Sequence, residues 1–256
     1  MRLTKILLAL IFITSLSYSQ DRDLSSYGRF NFTSNNVMMP YRMLTPYHKT
    51  DEKVPLFVFL HGSGERGDEN QKQLIHGSKF FLSETEKEEF NCYVIIPQCA
   101  KNNRWSYHKQ DPWIDEGDDK EKKVSNYGNL VIELIESLIK EKDINSDRVY
   151  ISGLSMGGYG TFDLVSHRPN LFAAAAPICG GADLELLNNA VGVPFWIFHG
   201  DSDRVVSVEK SRDAFKFLIK ERDYHKYTEY KGVYHNSWNS VFEEEDYFKW
   251  LFSKFR

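Results

Sequence analysis

Residues 149–158 read Val149-Tyr150-Ile151-Ser152-Gly153-Leu154-Ser155-Met156-Gly157-Gly158, and helix-compatible sequence continues from there to His167. An apolar strand therefore runs straight into a serine framed by glycines, and a helix follows at once. Gly-x-Ser-x-Gly alone is a weak signal, since Gly and Ser each near 7% of residues give about 0.08 chance matches in such a chain. The setting strengthens it. A serine held between strand and helix sits in a sharp turn, flanking glycines admit neighbouring backbone, and the helix N-terminus favours developing negative charge.

Working outward, short apolar runs alternate with longer amphipathic ones. Arg29 to Thr33 and Met38 to Leu44 predict a first pair of strands. Leu56 to Leu60, Cys92 to Ile96, Phe172 to Pro177, Phe195 to Phe198 and Tyr227 to Tyr230 predict five more beside Val149 to Ser152. Between Tyr127 and Lys142, apolar residues at 130, 131, 134, 135, 138 and 139 mark one face of a helix. Ser211 to Lys220 and Tyr247 to Phe255 read the same way. Continuous apolar strands separated by helices make this an α/β chain: a mostly parallel central sheet flanked by helices on both faces. Ligands in such sheets bind beyond the carboxyl ends of the strands.

A serine of ordinary pKa needs a base, and the base needs a carboxylate to hold it in one tautomer. After a strand-to-helix serine of this kind the chain order is serine, acid, histidine. The strand at 195–198 ends in His199-Gly200-Asp201-Ser202-Asp203, which offers two carboxylates, Asp201 and Asp203. His235 follows the last strand and precedes the final helix, the position expected of the base. His61 and His199 end strands beside glycine and read as structural, whereas His225 precedes the last strand at the opposite edge. His48, His76, His108 and His167 lie upstream of the acid or in helices.

Oxyanion donors are expected from the backbone N–H of Met156 and from the loop after Leu60, with Ser63 preferred over Gly62 and Gly64. Trp105 and Trp238 are read as walls of a substrate pocket, with core filling as the competing account. Glu65 and Arg66 read as structurally paired residues, with substrate binding as the competing account. The chain lacks His-Glu-x-x-His, a phosphate-binding Gly-x-x-x-x-Gly-Lys-Ser/Thr and zinc-type Cys/His spacing, so no metal and no cofactor is implied.

The first residues read differently. A basic start, an aliphatic run from Ile6 to Ile13 and small residues at Ser17 and Ser19 describe a signal peptide over 1–19, cut near Ser19/Gln20. That run is shorter than the ~20 residues a membrane span needs, so stable membrane insertion is not expected. Residues 20–256 then form one catalytic domain in a secreted or periplasmic protein. The chain carries 32 basic and 36 acidic residues. Removing Arg2 and Lys5 leaves 30 against 36, a balance that argues against a nucleic-acid partner. The acidic clusters 84–89 and 243–246 read as solvated helix faces. Of Cys92, Cys99 and Cys179, the last two each follow a strand; pairing between them stays open, as does the oligomeric state.

Leu60 to Gly67, Ile96 to Cys99, Gly153 to Tyr159, His199 to Val206 and His235 to Trp238 together resemble the secreted esterase/phospholipase-like branch of the α/β-hydrolases. That branch is similar to polyhydroxybutyrate depolymerases, feruloyl and acetylxylan esterases and so-called predicted peptidases. The resemblance implies a Ser155–Asp203–His235 triad, since the second Asp before a Val-Val pair is the triad acid. It also implies hydrolysis of a small-molecule or carbohydrate ester, acylated plant polysaccharide among them. Two other readings compete: a serine peptidase of prolyl-oligopeptidase type, and a non-catalytic binding module on the same fold.

Overall fold

The computed structural model describes residues 23–107 and 124–256. The expected leader over 1–19 and its cleavage point, and His108, lie outside them. Among the described residues, eight strands form one sheet: β1 Gly28–Ser34, β2 Val37–Leu44, β3 Val54–Leu60, β4 Tyr93–Pro97, β5 Ile144–Leu154, β6 Ala174–Ile178, β7 Trp196–Gly200 and β8 Lys226–Tyr230. Their order is β1-β2-β4-β3-β5-β6-β7-β8. β2 is antiparallel to both neighbours, and every pairing from β4 to β8 is parallel. Seven α-helices accompany the sheet: α1 Ser78–Glu84, α2 Asn126–Glu141, α3 Met156–His167, α4 Leu184–Leu187, α5 Glu209–Glu221, α6 Trp238–Val241 and α7 Asp246–Phe252.

β3 is apolar at every position because helices cover both faces of the sheet. All seven residues of β3 are buried, and successive side chains face opposite ways. Leu56, Val58 and Leu60 join one core with residues of α2, α3 and α5. Phe57 and Phe59 join a second core with residues of α1 and α7. The mostly parallel, doubly covered sheet expected from the sequence is the sheet observed. β5 begins earlier than expected, at Ile144, through a polar stretch that pairs with β3 across a register shift between Val54 and Leu56. Charged residues there conceal strand from a reading based on apolar runs.

One expectation is corrected and one open question is closed. The acidic clusters do not occupy helix faces: residues 84–89 end α1 and enter a short 3-10 turn at Glu88–Phe90, and Glu243 to Glu245 link α6 to α7. The pairing of Cys99 with Cys179, left open by the sequence, does not occur. All three cysteines are buried thiols outside any disulfide, with Cys99 in one core and Cys92 and Cys179 in the other.

Register aligns the strand ends that matter for chemistry. Leu60 pairs with Gly153, Leu154 with Ile178, Ile178 with Phe198, and Gly200 with Tyr230. The residues that follow, His61 to Ser63, Ser155, Cys179, Asp201 to Asp203 and His235, therefore emerge at one edge.

Candidate active site

Ser155 stands between β5 and α3 with φ 53° and ψ −116°. A non-glycine residue at positive φ costs of order 1–3 kcal/mol and persists only where its surroundings over-determine it. Here its N–H donates to Ile178 O at 2.9 Å, tying the turn to β6. Gly157 and Gly158 permit the close approach: a Cβ on Gly157 would lie 2.0 Å from Leu60 O, and one on Gly158 2.4 Å from Ile178 O. The loop after β3 and the backbone after β6 therefore press directly on the start of α3.

His235 joins two distant segments. Its Nε2 lies 2.9 Å from Ser155 Oγ, and its Nδ1 lies 2.7 Å from Asp203 Oδ2. The carboxylate accepts, so Nδ1 carries the proton and the Nε2 lone pair faces the serine hydroxyl. Asp203 takes further donors. Oδ1 accepts the N–H of Val205 at 2.8 Å and of Val206 at 2.9 Å, and Oδ2 is also 3.2 Å from His199 Nε2. Burial pushes this carboxyl up, but hydrogen bonds from His199, His235 and the two backbone N–H groups outweigh it and hold Asp203 well below the usual carboxylate range. Asp201 serves the turn instead, accepting from Gly232 N at 2.7 Å and Ser202 Oγ at 2.8 Å.

The remaining histidines divide by their partners. His61 is buried; its Nε2 accepts from Cys99 N at 3.0 Å and its Nδ1 faces Gly62 O at 2.6 Å. It is thus the neutral Nδ1–H tautomer, and burial lowers it to about 4. His225 accepts from Phe195 N through Nδ1, and burial likewise lowers it to about 4. His199 is more than a strand end. Its Nε2 faces Asp203 and Val206 O, and its Nδ1 lies 2.7 Å from Ser211 Oγ, so it braces the same carboxylate as His235. Nothing in the sequence distinguishes that role from any other His-Gly strand end.

Of the two tryptophans expected to wall a pocket, Trp238 stands beside His235. The ring of Trp238 lies edge-on to His235 at 5.6 Å and 5.1 Å from His76. Trp105 is corrected: it has 0% exposure, donates Nε1–H to His61 O at 3.0 Å and packs on His61 and Tyr127. An indole this deep supports the loop after β3 from below and presents no surface to a ligand. Glu65 and Arg66 each have a structural partner. Glu65 reaches His76 at 3.5 Å, and Arg66 donates to Ser63 O at 2.9 Å. His76, set aside in the sequence as lying upstream, thus neighbours the site through Trp238.

Met156 opens α3, so its N–H has no intrahelical acceptor. Ser63 opens the 3-10 turn Ser63–Glu65 directly after the loop that packs on Gly157. Cys179, which follows β6, lies at the rim of this site. It has φ 42°, and its Sγ lies within 4.8 Å of ligand atoms on Asp203 and His235. These three residues are a group that could hold a metal ion. However, ligands about 2.0–2.2 Å from one zinc stand about 3.3 Å apart, and Asp203 and His235 are 2.7 Å apart. Burial keeps the Cys179 thiol protonated, pushed up to about 12. The spacing suits proton sharing rather than joint ligation.

A family model described as Phospholipase/Carboxylesterase matches residues 47–248. The chain belongs to that family. Its fold matches the crystal structure of a thermostable esterase with a TM-score of 0.83 and 35% identity, over 91% of this chain and 64% of that one. A bifunctional acetylxylan esterase/xylanase of Neocallimastix patriciarum is 37% identical over 87 residues, 34% of this chain and 13% of that protein. A poly(3-hydroxyalkanoate) depolymerase C of Paucimonas lemoignei is 27% identical over 128 residues, 50% of this chain and 28% of that protein. This α/β-hydrolase chain thus spans less than a third of either curated relative.

Proposed function

We propose that the protein is an exported serine hydrolase that cleaves carboxylic esters through Ser155, His235 and Asp203. The observation that carries this reading is His235, whose two ring nitrogens meet the Ser155 hydroxyl at 2.9 Å and the Asp203 carboxylate at 2.7 Å. Both lie within the reach a nucleophile, its base and an orienting acid require.

The steps follow from these contacts. His235 Nε2 takes the Ser155 proton as Oγ attacks the acyl carbon, and ionised Asp203 stabilises the imidazolium through Nδ1–H. Backbone N–H groups of Met156 and Ser63 receive the oxyanion. His235 then protonates the departing alkoxide, leaving an acyl-Ser155 ester. Water enters, gives a proton to Nε2 and attacks the acyl carbon; collapse releases the acid and restores the hydroxyl. Trp238, beside His235, lines the substrate approach.

Family membership and likeness to an acetylxylan esterase support an acylated polysaccharide as the substrate class, and the basic, aliphatic start over 1–19 supports export. The test is labelling by a fluorophosphonate, then rates on p-nitrophenyl acetate, methyl ferulate, acetylated xylo-oligosaccharides and a proline anilide. Wild type is expected to label and to prefer the esters; Ser155→Ala is expected to do neither with an unchanged unfolding midpoint. An unlabelled native protein would sink the hydrolase reading, and faster turnover of the anilide would replace esterase by peptidase.

A further inference from the structure

A groove of about 580 Å³ lies apart from the Ser155–His235 pair, lined among others by Tyr27, Arg29, Arg42, Gln71 and Ile75. The β1–β2 register sets Arg29 directly opposite Arg42, so both side chains stand on one face of the sheet with like charges adjacent. That arrangement is destabilising by itself. Arg42 is 6% exposed; its Nε donates to Asn70 O and its Nη1 to Tyr27 O, each at 2.7 Å. Its Nη2 takes no acceptor among the described residues. Arg29 is exposed and reaches only Gln71 Oε1, at 3.4 Å. No carboxylate of the described residues pairs with either. Burial, and then the neighbouring Arg29 charge, lower the Arg42 guanidinium from its ordinary value. Two guanidiniums at one groove, one of them held rigidly and neither neutralised by a described residue, form a receptor for a planar anion.

The groove is connected to the site through one loop. Ile75, 62% exposed, lines it, and the next residue, His76, packs on Trp238 beside His235. We propose that this groove is a subsite for a carboxylate on a sugar ring of the substrate, so that the enzyme favours acylated oligosaccharides bearing uronate groups. Arg29 and Arg42 hold the carboxylate, Gln71 offers hydrogen bonds to hydroxyls, and the exposed Ile75 presents apolar surface to ring C–H groups. The proposal rests on the ester-hydrolase reading for its substrate, but the groove's anion affinity does not depend on catalysis.

The test therefore has two arms. In the first, titration calorimetry on full-length Ser155→Ala compares a xylotetraose carrying one glucuronate with unsubstituted xylotetraose and with inorganic sulfate. Tighter binding of the acidic sugar is expected, weakening with salt and falling about fivefold in an added Arg29→Gln. In the second, the acetylated forms of both sugars are compared as substrates. Wild type is expected to prefer the acidic one in kcat/KM, and Arg29→Gln to lose that preference with p-nitrophenyl acetate turnover unchanged. Arg29 is exposed and its replacement leaves the Arg42 backbone contacts intact, so misfolding does not confuse the result. Equal binding of the two sugars, retention of the preference in Arg29→Gln, or sulfate binding without any preference for the acidic sugar would each overturn the subsite. Absent turnover of every ester, with acidic-sugar binding preserved, would overturn the esterase reading alone.

Discussion

Replacing His199 by leucine removes one of four donors from the Asp203 carboxylate while keeping an apolar side chain in a fully buried position. A hydrogen bond to a charged group contributes about 1.5–3 kcal/mol, and one pKa unit corresponds to about 1.4 kcal/mol. The carboxyl should therefore rise by about one to two units. Because it starts well below the usual range, it stays ionised at pH 7, and kcat there should fall less than about tenfold. Stability should fall by the same ~1.5–3 kcal/mol. The sign with pH follows from the depressed folded-state value. The stabilisation exists above the unfolded carboxyl's value near 3.9 and is lost as pH falls through the folded one. The gap between wild type and His199→Leu should thus be full at pH 5–7 and close on acidification below about 4. Urea unfolding from pH 3 to 7, paired with ester hydrolysis at pH 7, reads both quantities. A thousandfold loss of kcat in a stably folded variant would mean that His199 takes part in proton transfer. A stability gap independent of pH would mean that it does not hold the carboxylate.

Trp105→Phe loses the Nε1–H bond to His61 O and part of the core volume, so it should cost about 2–4 kcal/mol and lower Tm by about 4–16 °C, with KM for aryl esters unchanged; a KM shift at constant Tm would return the indole to the pocket. Asp163 on α3 is buried, and burial followed by the Asp183 charge pushes its carboxyl up to about 8. Its proton is kept in the fold and lost on unfolding, so the stability it contributes is present at acid pH and fades as pH rises towards 8. Asp163→Asn should remove that decline, and urea midpoints of variant and wild type that run parallel from pH 5 to 9 would contradict it. Gly157→Ala drives a Cβ into Leu60 O and should abolish soluble expression or cost more than about 3 kcal/mol; a native-like melting curve would show that the loop after β3 yields.

The strands were legible because both faces of the sheet are covered, which makes β3 and the core of β5 continuously apolar. The meeting of Ser155 and His235 was legible because residues that follow parallel strands emerge at one sheet edge, and the candidate acid was narrowed to two carboxylates by the same rule. What escaped depends on contacts that no spacing encodes. Trp105 has the same residue type and loop setting as a pocket wall, and only its N–H bond to His61 O, with its total burial, assigns it to the core. His76 was discounted by chain order, yet the loop after β3 folds back to set it on Trp238. The likeness of Arg29 and Arg42 is visible only after β1 and β2 are placed in register. The early start of β5 is masked by its polar residues, which pair through backbone rather than through apolar side chains.

The three buried thiols turn the sheet into its own clock. A thiol reagent reaches them only when the surrounding layer opens, so the rate of modification reports the frequency of that opening. Because Cys99 lies on one side and Cys92 and Cys179 on the other, the order in which they react would reveal which helical layer lifts away first. The label on Cys179, with Asp203 and His235 for neighbours, would date the opening of that strand edge on the same time axis.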